Sequence, residues 1–111
     1  MILVGVRLGN TYCEQCGDGY LVVDKKDFPD KRGTVYLTYN SATEMHCVVT
    51  VRAAADEPTF MEAFIRKVGE DKWANDPGAY TDVAGPVYLA AADSCIDWGG
   101  TIGTAIEVKK H

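Results

Sequence analysis

At 111 residues the chain fits one domain, 1–111, and leaves no room for a second core, which excludes a two-domain enzyme. Hydrophobic residues make up 47% and charged residues 24%, a globular balance rather than a disordered one. Lys and Arg number 11 against 16 Asp and Glu, a net charge of −5, so no broad cationic face is available for nucleic acid, and no apolar run is long enough for membrane insertion by a helix.

In chain order, strands are predicted over 2–8, 20–24, 34–39, 45–52, 86–91, 95–98 and 101–108, where β-branched and aromatic residues concentrate between turns rich in Gly, Asp and Pro. The stretch Phe28-Pro29-Asp30-Lys31-Arg32-Gly33 is such a turn. Segments 34–39 and 45–52 form a hairpin. On its second arm Met45, Cys47, Val49 and Val51 share one face, suited to a core, while His46, Val48, Thr50 and Arg52 share a wetter one. Over 57–68 the residues Phe60, Met61, Phe64, Ile65 and Val68 fall at helical spacing behind Asp56-Glu57-Pro58, which predicts a short helix. The same stretch also alternates through Phe60, Glu62, Phe64, Arg66 and Val68, as a strand would. Residues 69–80 read as a surface loop, and the glycines of 98–103 as a turn or bulge beside a core Trp98. The expected fold is mainly β: a small, disulfide-stabilised antiparallel sandwich or barrel with one short helix near residues 57–68.

The four cysteines, Cys13, Cys16, Cys47 and Cys95, carry the most chemical information. An even number in so small a chain suits two disulfides in an oxidising compartment, or one zinc ion in a reducing one. Only Cys13-Glu14-Gln15-Cys16 has the close spacing of a zinc ligand pair, and it lacks the helical context of a redox motif, so disulfides are expected and a metal is not. A bridge between Cys13 and Cys16 would close a very small loop, so both are expected to reach across to Cys47 and Cys95.

In order along the chain stand Cys16-Gly17-Asp18-Gly19-Tyr20, Gly33-Thr34-Val35-Tyr36-Leu37-Thr38-Tyr39-Asn40-Ser41, Cys47-Val48-Val49-Thr50, Ala84-Gly85-Pro86-Val87-Tyr88 and Cys95-Ile96-Asp97-Trp98-Gly99-Gly100. This succession, over about 16–103, resembles the spore-associated protein A family, small exported proteins of spore-forming filamentous bacteria. The resemblance implies export, disulfide bonding and a place at the cell or spore surface, and it brings no catalytic activity and no active site. Met1-Ile2-Leu3-Val4 is too short for a complete signal peptide, so the resemblance implies either a removed leader or a different location for this member, of which the removed leader is the expectation. The acidic stretch 56–76 is more charged and more helix-like than the family pattern suggests.

Catalytic readings are weak. His46 is the only internal histidine and would have to serve as the base, but nothing completes a nucleophilic set around it, and His111 is expected to fray. No enzyme activity and no cofactor are expected. Asp71, Asp76, Asp82, Asp93 and Asp97 are not spaced as a calcium loop. The best lead is aromatic: exposed rings beside Asp or Asn can stack on sugars or hold a protein partner, which makes Trp73, Asn75, Asp76 and Tyr80 the candidate binding surface. The expected function is a secreted, non-enzymatic protein that binds a cell-wall or spore-surface polymer or a protein partner. Two alternatives stand beside it: a secreted inhibitor or toxin-like module using the loop 69–80, and an intracellular zinc-stabilised binding domain.

Overall fold

A computed structural model describes residues 11–111; the strand expected over 2–8 lies outside the described residues. Among the described residues nine strands run in chain order: β1 (Leu21–Asp27), β2 (Gly33–Asn40), β3 (Met45–Arg52), β4 (Thr59–Lys67), β5 (Ala74–Asn75), β6 (Gly78–Tyr80), β7 (Val83–Ala90), β8 (Ile96–Ile102) and β9 (Ala105–Lys110). They form two antiparallel sheets in a sandwich-like arrangement: sheet A in the order β1-β2-β3-β7, and sheet B in the order β5-β4-β8-β9, with β6 also paired to β4. Among the described residues the one helical turn is the short 3-10 turn Pro29–Lys31, and no helix is long and apolar enough to cross a membrane.

The core lies between the sheets. Val35 and Leu37 of β2, Val48 of β3 and Val87 of β7 meet Met61, Ala63 and Ile65 of β4 and Ile96, Trp98 and Ile102 of β8. Thr50 crosses the gap, its hydroxyl donating to the Glu62 carbonyl at 2.8 Å. Gly100 has the space for this contact only because it lacks a side chain; a Cβ there would meet the Thr50 hydroxyl. Trp98 is fully buried, as its large apolar area favours.

The face of β3 is the reverse of the expected one. Val48, with His46 and Thr50, looks into the core between the sheets, whereas Cys47, Val49 and Val51 lie on the outer side of sheet A. Both sets are buried, because residues 11–20 pass over that outer side. Tyr12 packs on Tyr36 at 5.8 Å, Tyr20 on Tyr88 at 5.7 Å, and the Tyr88 hydroxyl donates to the Cys16 carbonyl at 3.0 Å. A strand buried on both faces loses its polar alternation, so the sequence of β3 has no wet side to read.

The expected helix over 57–68 is strand β4. Met61, Ala63 and Ile65 point inward at a period of two, and Glu62 and Arg66 fall on the opposite face. The apolar spacing that mimics a helix arises because Phe64, on the outer face, is also buried, under Trp73. The loop expected over 69–80 doubles back as β5 and β6, which pair with β4 in succession. The glycine stretch 98–103 lies mostly within β8 rather than in a turn, with only Gly103 beyond its end.

Candidate functional site

The outer face of sheet B is set by register. Three rows run across β4, β8 and β9: Glu62, Thr101 and Ile106; Phe64, Gly99 and Val108; Arg66, Asp97 and Lys110. The middle row is apolar and dips at Gly99, where a side chain would meet the Glu107 carbonyl and stand 3.0 Å from the Phe64 ring. On one side the dip is walled by Trp73 and Asn75, on the other by Lys110, and with the apolar row as floor they enclose a groove of about 580 Å³.

Each wall is held in place. Trp73 meets Phe64 edge to face at 5.2 Å and 86°, and the Arg66 guanidinium lies 4.4 Å from the Trp73 ring centroid, a cation–π contact. Arg66 Nε donates to Asp97 Oδ2 at 3.1 Å, and Lys110 Nζ donates to Asp97 Oδ1 at 2.8 Å. Asp97 is therefore a buried carboxylate with a cation on each oxygen. The Lys110 hydrogen bond foremost, and then that of Arg66, hold its pKa below the usual carboxylate value despite the opposing effect of burial. Lys110 itself stays open, its side chain 74% exposed against 7% for Asp97. On the opposite rim Asn75 Nδ2 donates to Glu62 Oε2 at 2.8 Å. Phe60, Ile106 and Val108 are exposed large apolar residues on or beside this face.

The candidate residues read from the sequence divide. Trp73 and Asn75 line the groove. Asp76 and Tyr80 form a structural clasp instead. The Tyr80 hydroxyl donates to Asp76 Oδ1 at 2.8 Å and the Gly85 amide to Asp76 Oδ2 at 2.9 Å, which binds the β5–β6 segment to β7 beside the cis Gly85–Pro86 peptide. That hydrogen bond to Asp76, ahead of burial, raises the Tyr80 pKa. Phe64, Arg66, Asp97, Val108 and Lys110 were not singled out as binding residues. The alternation of charge with Phe along 60–68 was the available signal for the first two; Asp97 and Lys110 join them only through strand register.

The sulfurs correct the expectation of two cross-bridges. Cys16 is bonded to Cys47 across 31 residues, while Cys13 and Cys95 are exposed free thiols. Cys47 lies on the outer side of sheet A, which residues 11–20 cover, whereas Cys95 sits just before β8 in the other sheet. With two of the four sulfurs joined, the four-cysteine zinc set is not assembled, and among the described residues no three metal-ligating side chains gather. His46 is buried rather than at a wet hairpin surface. It lies 4.8 Å from Tyr39 and 6.2 Å from His111, and its Nδ1 has no hydrogen-bond partner among the described residues. His111 does not fray: its amide and carbonyl both pair with Ile96.

The molecule is thus a β-sandwich with a disulfide-pinned cover on one sheet and a rimmed aromatic groove on the other. Over 93 residues, 84% of its length, it is 45% identical to spore-associated protein A of Streptomyces coelicolor, and it spans 60% of that protein. The chain is a relative of spore-associated protein A, as its ordered motifs imply. No protein-family profile and no solved structure matches it.

Proposed function

We propose that this chain is a single-domain, exported, non-enzymatic binding protein that works at a spore or cell surface and holds an envelope polymer in the groove on sheet B. The observation that carries the reading is the groove itself: an apolar floor at Phe64 and Val108, an aromatic wall at Trp73 and fixed polar groups on both rims. Convergence of a few placed polar groups on a largely apolar concavity is how ligand sites are commonly built. Kinship with a spore-associated protein supports the location, and the Cys16–Cys47 bond suits an oxidising compartment. The segment 69–80 is hydrogen-bonded to β4 and to β7, so it does not project as an inhibitory loop would.

The test is retention on purified envelope polymer. The wild-type chain should be held and Trp73→Ala released, with thermal melting showing both folded at the assay temperature. Equal retention of the two would overturn the assignment of the groove, and retention only by immobilised proteases would favour an inhibitor.

A further inference from the structure

The row pattern of the groove also names the chemistry of what it holds, resting on the reading of the groove as the binding site. We infer that its occupant is a sugar ring bearing a carboxylate, a unit of an acidic glycan, lying on the Phe64–Gly99–Val108 row with its carboxylate toward Lys110 and a hydroxyl toward Glu62. A pyranose has apolar C–H faces and a polar rim. The groove has the complementary layout, an apolar floor flanked by hydrogen-bonding rows on both long sides. Its dip is one residue wide, at Gly99, which fits a ring and not a bulky side-chain cluster.

The two rims differ in charge, which sets the direction. Glu62 is held by Asn75, with its carboxylate left to accept from a hydroxyl. At the other rim both oxygens of Asp97 are already engaged by Arg66 and Lys110. That rim carries two cations for one carboxylate, and Lys110, the more exposed partner, has ammonium donors to spare. In a chain of net charge −5, a locally cationic rim is the place where an anionic substituent is favoured. A peptide is the poorer occupant. The sheet's face presents no free backbone groups, and an added strand would pair at the edge of β9 instead.

The experiment is calorimetric titration of the purified full chain with three oligosaccharides of equal length: a uronic-acid oligomer, the same oligomer with its carboxyl groups reduced to alcohols, and a neutral glucan. The uronic oligomer should bind tightest. Reduction of its carboxyl groups, and separately Lys110→Ala, should each weaken binding about fivefold, the size expected of one exposed charge-assisted contact. The two losses should not add when combined. Added salt should weaken the uronic oligomer and leave the neutral glucan unchanged. Trp73→Ala should weaken binding of all three tenfold or more. Equal affinity for the uronic and reduced oligomers, or no effect of Lys110→Ala, overturns the acidic-sugar assignment while leaving the groove in place. Undiminished binding by Trp73→Ala overturns the groove itself, and no binding of any oligosaccharide overturns the sugar assignment.

Discussion

The two sheets of this sandwich present opposite solutions to the same problem, an outer face rich in large side chains. On sheet A the face is sealed: residues 11–20 lie across Tyr36, Cys47, Val49 and Val51, and the Cys16–Cys47 bond fixes them there. On sheet B no segment among the described residues crosses the face, and Phe60, Ile106 and Val108 stay exposed around the groove. Cross-strand chemistry differs accordingly. The sealed face holds aliphatic side chains and tyrosine rings, while the open one carries an ionic row and an aromatic wall braced by a guanidinium. One face is closed over and pinned, and the other is left open to solvent.

The sharpest way to break this division is to unpin the cover. Closure of a loop with a 31-residue separation constrains the unfolded chain by about 3.5 kcal/mol in the entropy account. Cys16→Ser with Cys47→Ser should therefore lower thermal stability by about that amount. Below its melting temperature the double variant should still bind through sheet B. An unchanged melting temperature would show that the cover does not depend on the bond.

Next in size is the dip on the open face. Gly99→Ala would drive a methyl group against the Glu107 carbonyl and the Phe64 ring. The cost expected for such overpacking is about 1–3 kcal/mol in chemical denaturation. Binding should fall with it, because Phe64 supports Trp73. Full stability in this variant would mean that β9 can move away from β8 and that the dip is not set by Gly99.

A smaller effect separates wall from scaffold. Trp73→Ala should cost about 1 kcal/mol of stability through the lost Phe64 and Arg66 contacts, while binding falls by tenfold or more. Tyr80→Phe should do the converse. It removes the hydrogen bond to Asp76, for about 1 kcal/mol, and should leave binding unchanged because Tyr80 is a clasp and not a wall.

Much of the sealed side was legible in the sequence. The runs at 34–39 and 45–52 define β2 and β3, and Cys47 was marked for burial. What periodicity could not supply was which sheet face Cys47 occupies, since a strand covered on both sides carries no polar alternation and the covering segment is recognised only in three dimensions. The open side was harder for a different reason. Phe64 is buried on an outward face by Trp73, nine residues further on, and this single packing event makes β4 look helical. Trp73 and Asn75 could be picked out as an aromatic ring beside an amide. Arg66, Asp97 and Lys110 are brought together by register, across the β8–β9 hairpin and from β8 to the distant β4, and no local pattern encodes that. Asp76 and Tyr80 show the limit of composition: a Tyr beside an Asp can be a sugar platform or a clasp, and only the Gly85 amide on the second carboxylate oxygen decides for the clasp.

The finest distinction between interior and open face is one of pH. His46 lies on the interior side of sheet A, level with Tyr39 and Leu89, and burial first, then the charge of His111, lowers its pKa from the ordinary 6.5. A group whose folded pKa is lowered contributes stability that is present above its unfolded pKa and lost as pH falls through the folded value. The His46 contribution should accordingly fade as pH drops below about 6.5. Asp97, also lowered, obeys the same sign but from a lower starting point, so the ionic row on the open face should hold until pH falls below 3.8. Acid titration followed by near-ultraviolet circular dichroism should thus show the interior loosening before the groove. His46→Gln should remove the first step and leave the second, and Lys110→Ala should shift the second upward and leave the first. A single step common to all three proteins would mean that the interior and the open face unfold as one unit, with no difference in their resistance to acid.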